Sequence, residues 1–223
     1  MGPGAAHGDR PGLEVRVSAA PAMQVWIWLP VAAGALAGGL LVVLDDRRAL
    51  LALLGVEYLA AAWFAALHLP FLVVIAKLCA GLLACCILGL THARIGWRIE
   101  VAGEYAIPTG RAFRVIAVLL VVIAVYGAVT VRPLAIPLLT PMVAVGGAWI
   151  LGLGLLQLGL HLDPFRVGLG LLALLAGFEG LYSALEPSLL VSALLAAIHL
   201  GLAVTVSYLI LSDAAPGEGA GRP

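Results

Sequence analysis

The stretch FLVVIAKLCAGLLACCILGL, Phe71 to Leu90, decides the fold: it is apolar throughout except for one charge, Lys77. A helix rising ~1.5 Å per residue crosses the ~30 Å hydrocarbon core of a bilayer in about 20 residues, so this segment reads as a membrane span. A strand reading fails, because the open edges of a sheet find no hydrogen-bond partners in hydrocarbon. Working outward, breakers divide the rest of the chain into similar lengths. The spans are Met23–Leu44, Ala49–Leu67, Phe71–Leu90, Ala112–Val131, Leu138–Leu160, Val167–Leu185 and Ser188–Leu211. The breaks are Asp45-Asp46-Arg47-Arg48, His68-Leu69-Pro70, the polar loop Thr91–Arg111, Arg132-Pro133, His161-Leu162-Asp163-Pro164 and Glu186-Pro187. Pro70, Pro164 and Pro187 fall where a helix can begin without losing an internal hydrogen bond.

Composition agrees with that division. Of 223 residues 63% are hydrophobic and 11% charged, and the mean hydropathy is +1.14, which no soluble domain approaches. The expected fold is therefore all-α and polytopic, with about seven spans. Residues 1–22 and 212–223 read as flexible Gly/Pro/Ala-rich tails. The first tail mixes Asp9 and Glu14 with Arg10 and Arg16 and lacks the apolar core of a signal peptide, so the first span is expected to be retained. With the N-terminus outside, Arg47, Arg48, Arg94, Arg98, Arg111, Arg114, Arg166 and Arg222 lie inside, against Arg10, Arg16 and Arg132 outside. That asymmetry predicts N-out and C-in. The formal net charge of zero gives no support to nucleic-acid binding.

Two triplets of spans share a pattern. In the first, residues 23–91, a span ends at Asp45–Arg48, the next carries Glu57 and runs to Pro70, and the third carries Lys77. In the second, residues 134–211, a span ends at His161–Arg166, the next carries Glu179 and runs to Pro187, and the last carries His199. Residues 92–133 supply a cytoplasmic loop and one linking span, which gives the triplets the same orientation: parallel repeats, not the inverted repeats of many transporters. Helix rise puts Glu57 about 16 Å below His68, Lys77 about 10 Å below Pro70, Glu179 about 12 Å and His199 about 18 Å below Pro187. Each acid thus lies within reach of a base on the following helix, and the expected pairs are Glu57–Lys77 and Glu179–His199. Ionisable groups at membrane depth cost several kcal/mol unless paired or wetted, and they commonly mark a proton or ion pathway. The same pairs also serve to pin neighbouring helices. Ala80, Gly81, Ala84 and Cys85 continue the Lys77 face, and such small residues invite close helix contact. Gly177, Gly180 and Ser183 beside Glu179 are expected to leave room for water, whereas Ala60, Ala61 and Phe64 make the Glu57 surroundings drier.

At the residue level, Arg47-Arg48-Ala49-Leu50-Leu51-Ala52-Leu53-Leu54-Gly55-Val56-Glu57 resembles the start of the second helix of the small K-type subunit of NADH-quinone oxidoreductase. Arg166 with Leu171 to Glu179 is similar to the same element. Over roughly Val31 to Leu211 the chain resembles more fully the E-type membrane component of energy-converting hydrogenases, hydrogenase-4 component E among them. It departs in having Glu179-Gly180 where that family has an acid followed by Asn, and His199 where it has an acid. The resemblance implies a non-redox subunit of the prokaryotic plasma membrane that carries no cofactor, metal or flavin. It further implies antiporter-like membrane subunits as partners and a proton or ion pathway through Glu57, Lys77, Glu179 and His199.

Other motifs weigh less. Cys79, Cys85 and Cys86 share one apolar helix and lack the ligand spacing of a zinc site or a Cys-x-x-Cys pair, so they read as packing residues. Gly34 and Gly38 form a GxxxG, and Gly146, Gly147, Gly152, Gly154 and Gly159 line the fifth span, where they favour close helix contact. Trp26, Trp28, Trp97 and Tyr105 read as interfacial anchors. Gly168-Leu169-Gly170 opens a membrane helix and is no dinucleotide loop. No motif of a hydrolase, kinase or zinc enzyme is present, which disfavours an enzyme acting alone. A purely structural assembly subunit and an independent small-solute transporter remain the alternatives to an ion-translocating subunit.

Overall fold

The computed structural model describes residues 21–97, 110–131, 140–185 and 188–214, with side chains from 28 to 213. Among these residues there are seven helices and no strand: α1 Pro21–Val43, α2 Arg47–Ala66, α3 Phe71–Ile95, α4 Arg111–Val131, α5 Pro141–Leu160, α6 Pro164–Tyr182 and α7 Leu189–Ala214. Six of them, α2 to α7, are long and apolar enough to cross a membrane. This is the architecture of a polytopic helical membrane protein.

Local chemistry sets the helix starts. Asp46 caps α2 by accepting from Arg48 N–H, Thr140 caps α5 by accepting from Val143 N–H, and Asp163 caps α6 by accepting from Arg166 N–H. Pro141 and Pro164 occupy the first helical turn, where the missing N–H costs nothing. The third helix runs past the expected stop at Leu90 to Ile95 and ends at Gly96, whose φ of 96° is the left-handed conformation a glycine adopts without strain. That extension brings Thr91 and His92 into the bundle, where both are buried. Residues 98–109 of the expected loop, with Arg98, Glu100, Glu104 and Tyr105, lie outside the described residues, as do Arg132-Pro133 and Glu186-Pro187.

The triplets pack element on element: α1 against α5, α2 against α6, α3 against α7. Within them α2 touches both α1 and α3, and α6 both α5 and α7. The main apolar cluster accordingly draws on both, with Leu50, Leu54 and Tyr58 of α2, Ala84 and Leu88 of α3, Leu169, Leu172 and Ala176 of α6, and Ala203 and Val206 of α7. The linking helix α4 stays outside, lying on α5 and α1 and held there by a hydrogen bond from Trp149 Nε1–H to Val122 O at 3.0 Å.

The closest approach is between α5 and α6. A Cβ on Gly154 would stand 2.6 Å from Leu174 N, and one on Gly177 would stand 2.5 Å from Leu151 N. Gly177 therefore makes room for a neighbouring backbone, which corrects its expected part in leaving space for water. Gly34 and Gly38 pack as a close-contact pair, but a Cβ at Gly159 would meet nothing within 4 Å.

Candidate functional site

Two polar regions are buried in the bundle, one at mid-depth and one at the end formed by the α1–α2 and α5–α6 turns. At mid-depth, Lys77 Nζ lies 2.9 Å from Glu179 Oε1, with side chains 8% and 11% exposed. The approach to Oε1 is off the hydrogen-bond direction, so the contact is first an ion pair. It joins the third helix of one triplet to the second helix of the other. Lys77 was expected to reach Glu57, and here the structure corrects the sequence. Successive residues on a helix stand ~100° apart, and it is Tyr58, not Glu57, that turns toward α3. Its ring fills the space over Gly81, where a Cβ would come within 2.5 Å of Tyr58 Cδ1.

The pairing of Glu179 with His199 is corrected likewise. His199 Nδ1–H donates to Leu195 O at 3.0 Å, which fixes the tautomer and leaves Nε2 as an acceptor without a partner among the described residues. The imidazole stands 5.5 Å from the Tyr58 ring, centre to centre. Tyr58 Oη also lacks a partner among the described residues. Beside these groups lies a cavity of about 10 Å³, lined by Tyr58, Ala61, Ala62, Ala65, Lys77, Leu78, Glu179 and Gly180, which is the room of one water. Ser183, expected to help hydrate Glu179, instead donates to Gly180 O at 2.8 Å.

Glu57 occupies the opposite face of α2. It is fully buried, both carboxylate oxygens lack a hydrogen-bond partner among the described residues, and Oε1 would be 2.7 Å from a Cβ on Gly38. It shares a closed seam with Gly38, Leu153, Gly154, Gln157 and Gly170, in which there is no space for a water. Gln157 donates from Nε2 to Arg166 O at 3.4 Å, while its Oε1 is also without a partner. By helix rise Gln157 is about 5 Å, Glu57 about 15 Å, and Lys77, Glu179 and His199 about 20 Å from the charged end.

That charged end is built by exchange between the triplets. Asp45 of the first accepts from Arg166 of the second at 3.1 Å, and Asp163 of the second pairs with Arg47 of the first at 3.4 Å. Asp45 also holds Arg114 at 2.8 Å and Arg111 at 3.0 Å. Each core arginine has a histidine beside it: Arg47 Nη1 donates to His92 Nε2 at 2.9 Å, and Arg166 Nη1 to His161 Nε2 at 3.1 Å. Both imidazoles donate from Nδ1 to the carbonyl four residues earlier, Leu88 and Gln157, so both Nε2 atoms accept. Arg47 and His92 also pack on the Phe165 ring.

No protein-family model, curated protein or solved structure matches the chain. The geometry alone therefore carries the functional argument. It brings Lys77, Glu179 and His199 together and leaves Glu57 apart. It adds Tyr58, Gln157, His92, His161, Asp45, Asp163, Arg47 and Arg166, to which sequence reasoning assigned no role in a site. The matched positions of the two Asp–Arg turns, each opening the middle helix of a triplet, were the available signal for the charged end. Of the cysteines, Cys79 and Cys86 are exposed on the outer surface and only Cys85 packs on the core. Among the described residues no group of His, Cys, Asp and Glu is placed to hold a metal ion.

The exchange makes a prediction. Asp45→Ala removes the acceptor shared by three arginines, two of them buried, and is expected to cost on the order of 1–3 kcal/mol, less than a fully buried pair because Asp45 is partly wetted. A fall of several degrees in the thermal midpoint of the detergent-solubilised protein is the expected result; an unchanged midpoint would show that the turns are held by other contacts.

Proposed function

We propose that this integral membrane protein is a non-redox subunit of a multisubunit ion-translocating complex of the energy-converting hydrogenase or NADH-quinone oxidoreductase kind, and that its buried polar file handles protons. The observation that carries the reading is the Lys77–Glu179 ion pair at mid-depth, shared between the triplets and flanked by the open acceptor of His199 and the hydroxyl of Tyr58. Glu179, Lys77 and His199 are groups able to carry a proton, and a single water in the cavity suffices to link Glu179, Lys77 and Tyr58. Glu57 and Gln157 stand in line between this cluster and the charged end, on the other face of α2. The dry seam around Glu57 favours a proton over a hydrated sodium ion, since a bare sodium ion needs more oxygen ligands than the seam offers. The proposal sets the membrane as a prokaryotic plasma membrane and the charged end as cytoplasmic, in keeping with its arginines.

What supports a subunit role is the size of the cavity that Lys77 and Glu179 share, which takes one water. An independent transporter needs more. Affinity purification of the full chain from its native membranes in mild detergent is expected to bring down large multi-pass subunits in fixed ratio; recovery of the chain alone, still folded, would argue against the complex. Topology is tested separately. A reporter fused after Leu211 is expected on the cytoplasmic side and one before Met23 outside, and both on one side would mean that α1 does not cross.

A further inference from the structure

At the end opposite the arginines, a groove of about 350 Å³ lies between α3 and α7, lined by Leu72, Val73, Ala76, Lys77, Leu189, Ser192, Ala193 and Ala196. We infer that this groove seats one membrane phospholipid, with a glycerol-ester carbonyl on Lys77 and Ser192 and an acyl chain over the alanines. The volume lies within the range of small-molecule sites, and the wall is apolar with a few placed polar groups, as such sites require.

Depth selects the occupant. By helix rise Ser192 lies about 5 Å and Lys77 about 9 Å inside the ends of their helices, so the groove starts near the level of the lipid ester carbonyls and deepens toward the ion pair. Exposed Phe71, Leu72, Leu189 and Leu190 surround the mouth, so the groove opens to the bilayer.

Chemistry selects the contact. Lys77 has three N–H donors and one ion-pair partner, Glu179. Ser192, 8% exposed, also lines the groove. Because Glu179 neutralises the lysine, the floor offers donors without net charge, and a neutral carbonyl fits it better than a phosphate. The headgroup then projects past Leu72 and Leu189 toward water, free of specific contact. The inference does not depend on whether protons move through the ion pair.

Native mass spectrometry of the full chain released from nanodiscs tests it, using a diester phosphatidylglycerol, a diester phosphatidylcholine and a diether analogue of the same chain length. The two diesters are expected to be retained alike, one per chain, and the diether about tenfold less, as for loss of a hydrogen bond to a charged donor. Ala193→Leu, at an exposed position that leaves the ion pair intact, is expected to fill the groove and abolish retention, and Ser192→Ala to weaken it in part. Equal retention of diether and diester, or retention undiminished in Ala193→Leu, would overturn the inference. A strong preference for phosphatidylglycerol over phosphatidylcholine would also do so, since it would put the anchor on the headgroup.

Discussion

Lys77→Met is expected to abolish accumulation of the folded protein, and adding Glu179→Gln is expected to restore most of it. Removing the lysine strands a carboxylate in a site closed to bulk water, and breaking a buried pair from one side costs about 3–5 kcal/mol, a large share of the stability of any protein. Replacing both partners removes the stranded charge along with the attraction. The double variant should therefore be far better than the sum of the single ones, measured as folded protein per membrane and as thermal midpoint. The same cycle separates two geometries. Were Lys77 paired with Glu57, Glu57→Gln would rescue Lys77→Met; the ion pair across the triplets predicts that it will not. Glu57→Gln alone is expected to be tolerated, because an amide in the dry seam beside Gly38 and Gln157 gains a donor where the carboxylate has only acceptors.

Gly177→Val is expected to be as damaging as Lys77→Met and not to be rescued by any change at the polar cluster. Its new side chain would enter the backbone of Leu151, and backbone cannot swing aside as a side-chain end can. Separating α5 from α6 by an ångström or more forfeits the dispersion contacts that hold helices together in lipid, where no hydrophobic effect replaces them. The loss should exceed about 3 kcal/mol. Gly159→Val, on the same helix pair but with nothing within 4 Å of its Cβ, should leave the thermal midpoint within a degree or two. Equal behaviour of the two variants would mean that α5 and α6 do not approach at Gly177.

How much of this could be read in the sequence follows from what each signal encodes. Hydropathy encodes solvent, so the apolar lengths and their Asp, Gly and Pro boundaries place all seven helices to within a few residues; the largest error, the end of α3, came from treating Thr91 and His92 as loop because they are polar. Both satisfy themselves on the preceding turn, Thr91 through Ile87 O and His92 through Leu88 O, so helix and polarity do not conflict there. The four ionisable residues at depth were legible because charge is rare in lipid. Their partners were not. Pairing depends on the angular position of each residue around its helix and on which helices meet, and the rule of pairing along the chain failed because the triplets interlock. Lys77 thus finds Glu179 across the interface, and Tyr58 takes the place expected of Glu57. The cross-triplet exchange at the charged end was hidden for the same reason: Asp45 and Arg166 are far apart in sequence, and only the packing of α2 on α6 brings them together.

Glu179→Gln supplies the most direct test of a proton-handling role, because the amide keeps the carboxylate's shape but cannot take up a proton. The measurement is respiration- or substrate-driven proton translocation in inverted membrane vesicles carrying the assembled complex, with assembly checked by co-purification of its subunits. The account predicts that, per assembled complex, translocation falls at least tenfold in Glu179→Gln, with the yield of complex lowered by the unpaired Lys77; translocation per assembled complex at the level of the unaltered protein would contradict it.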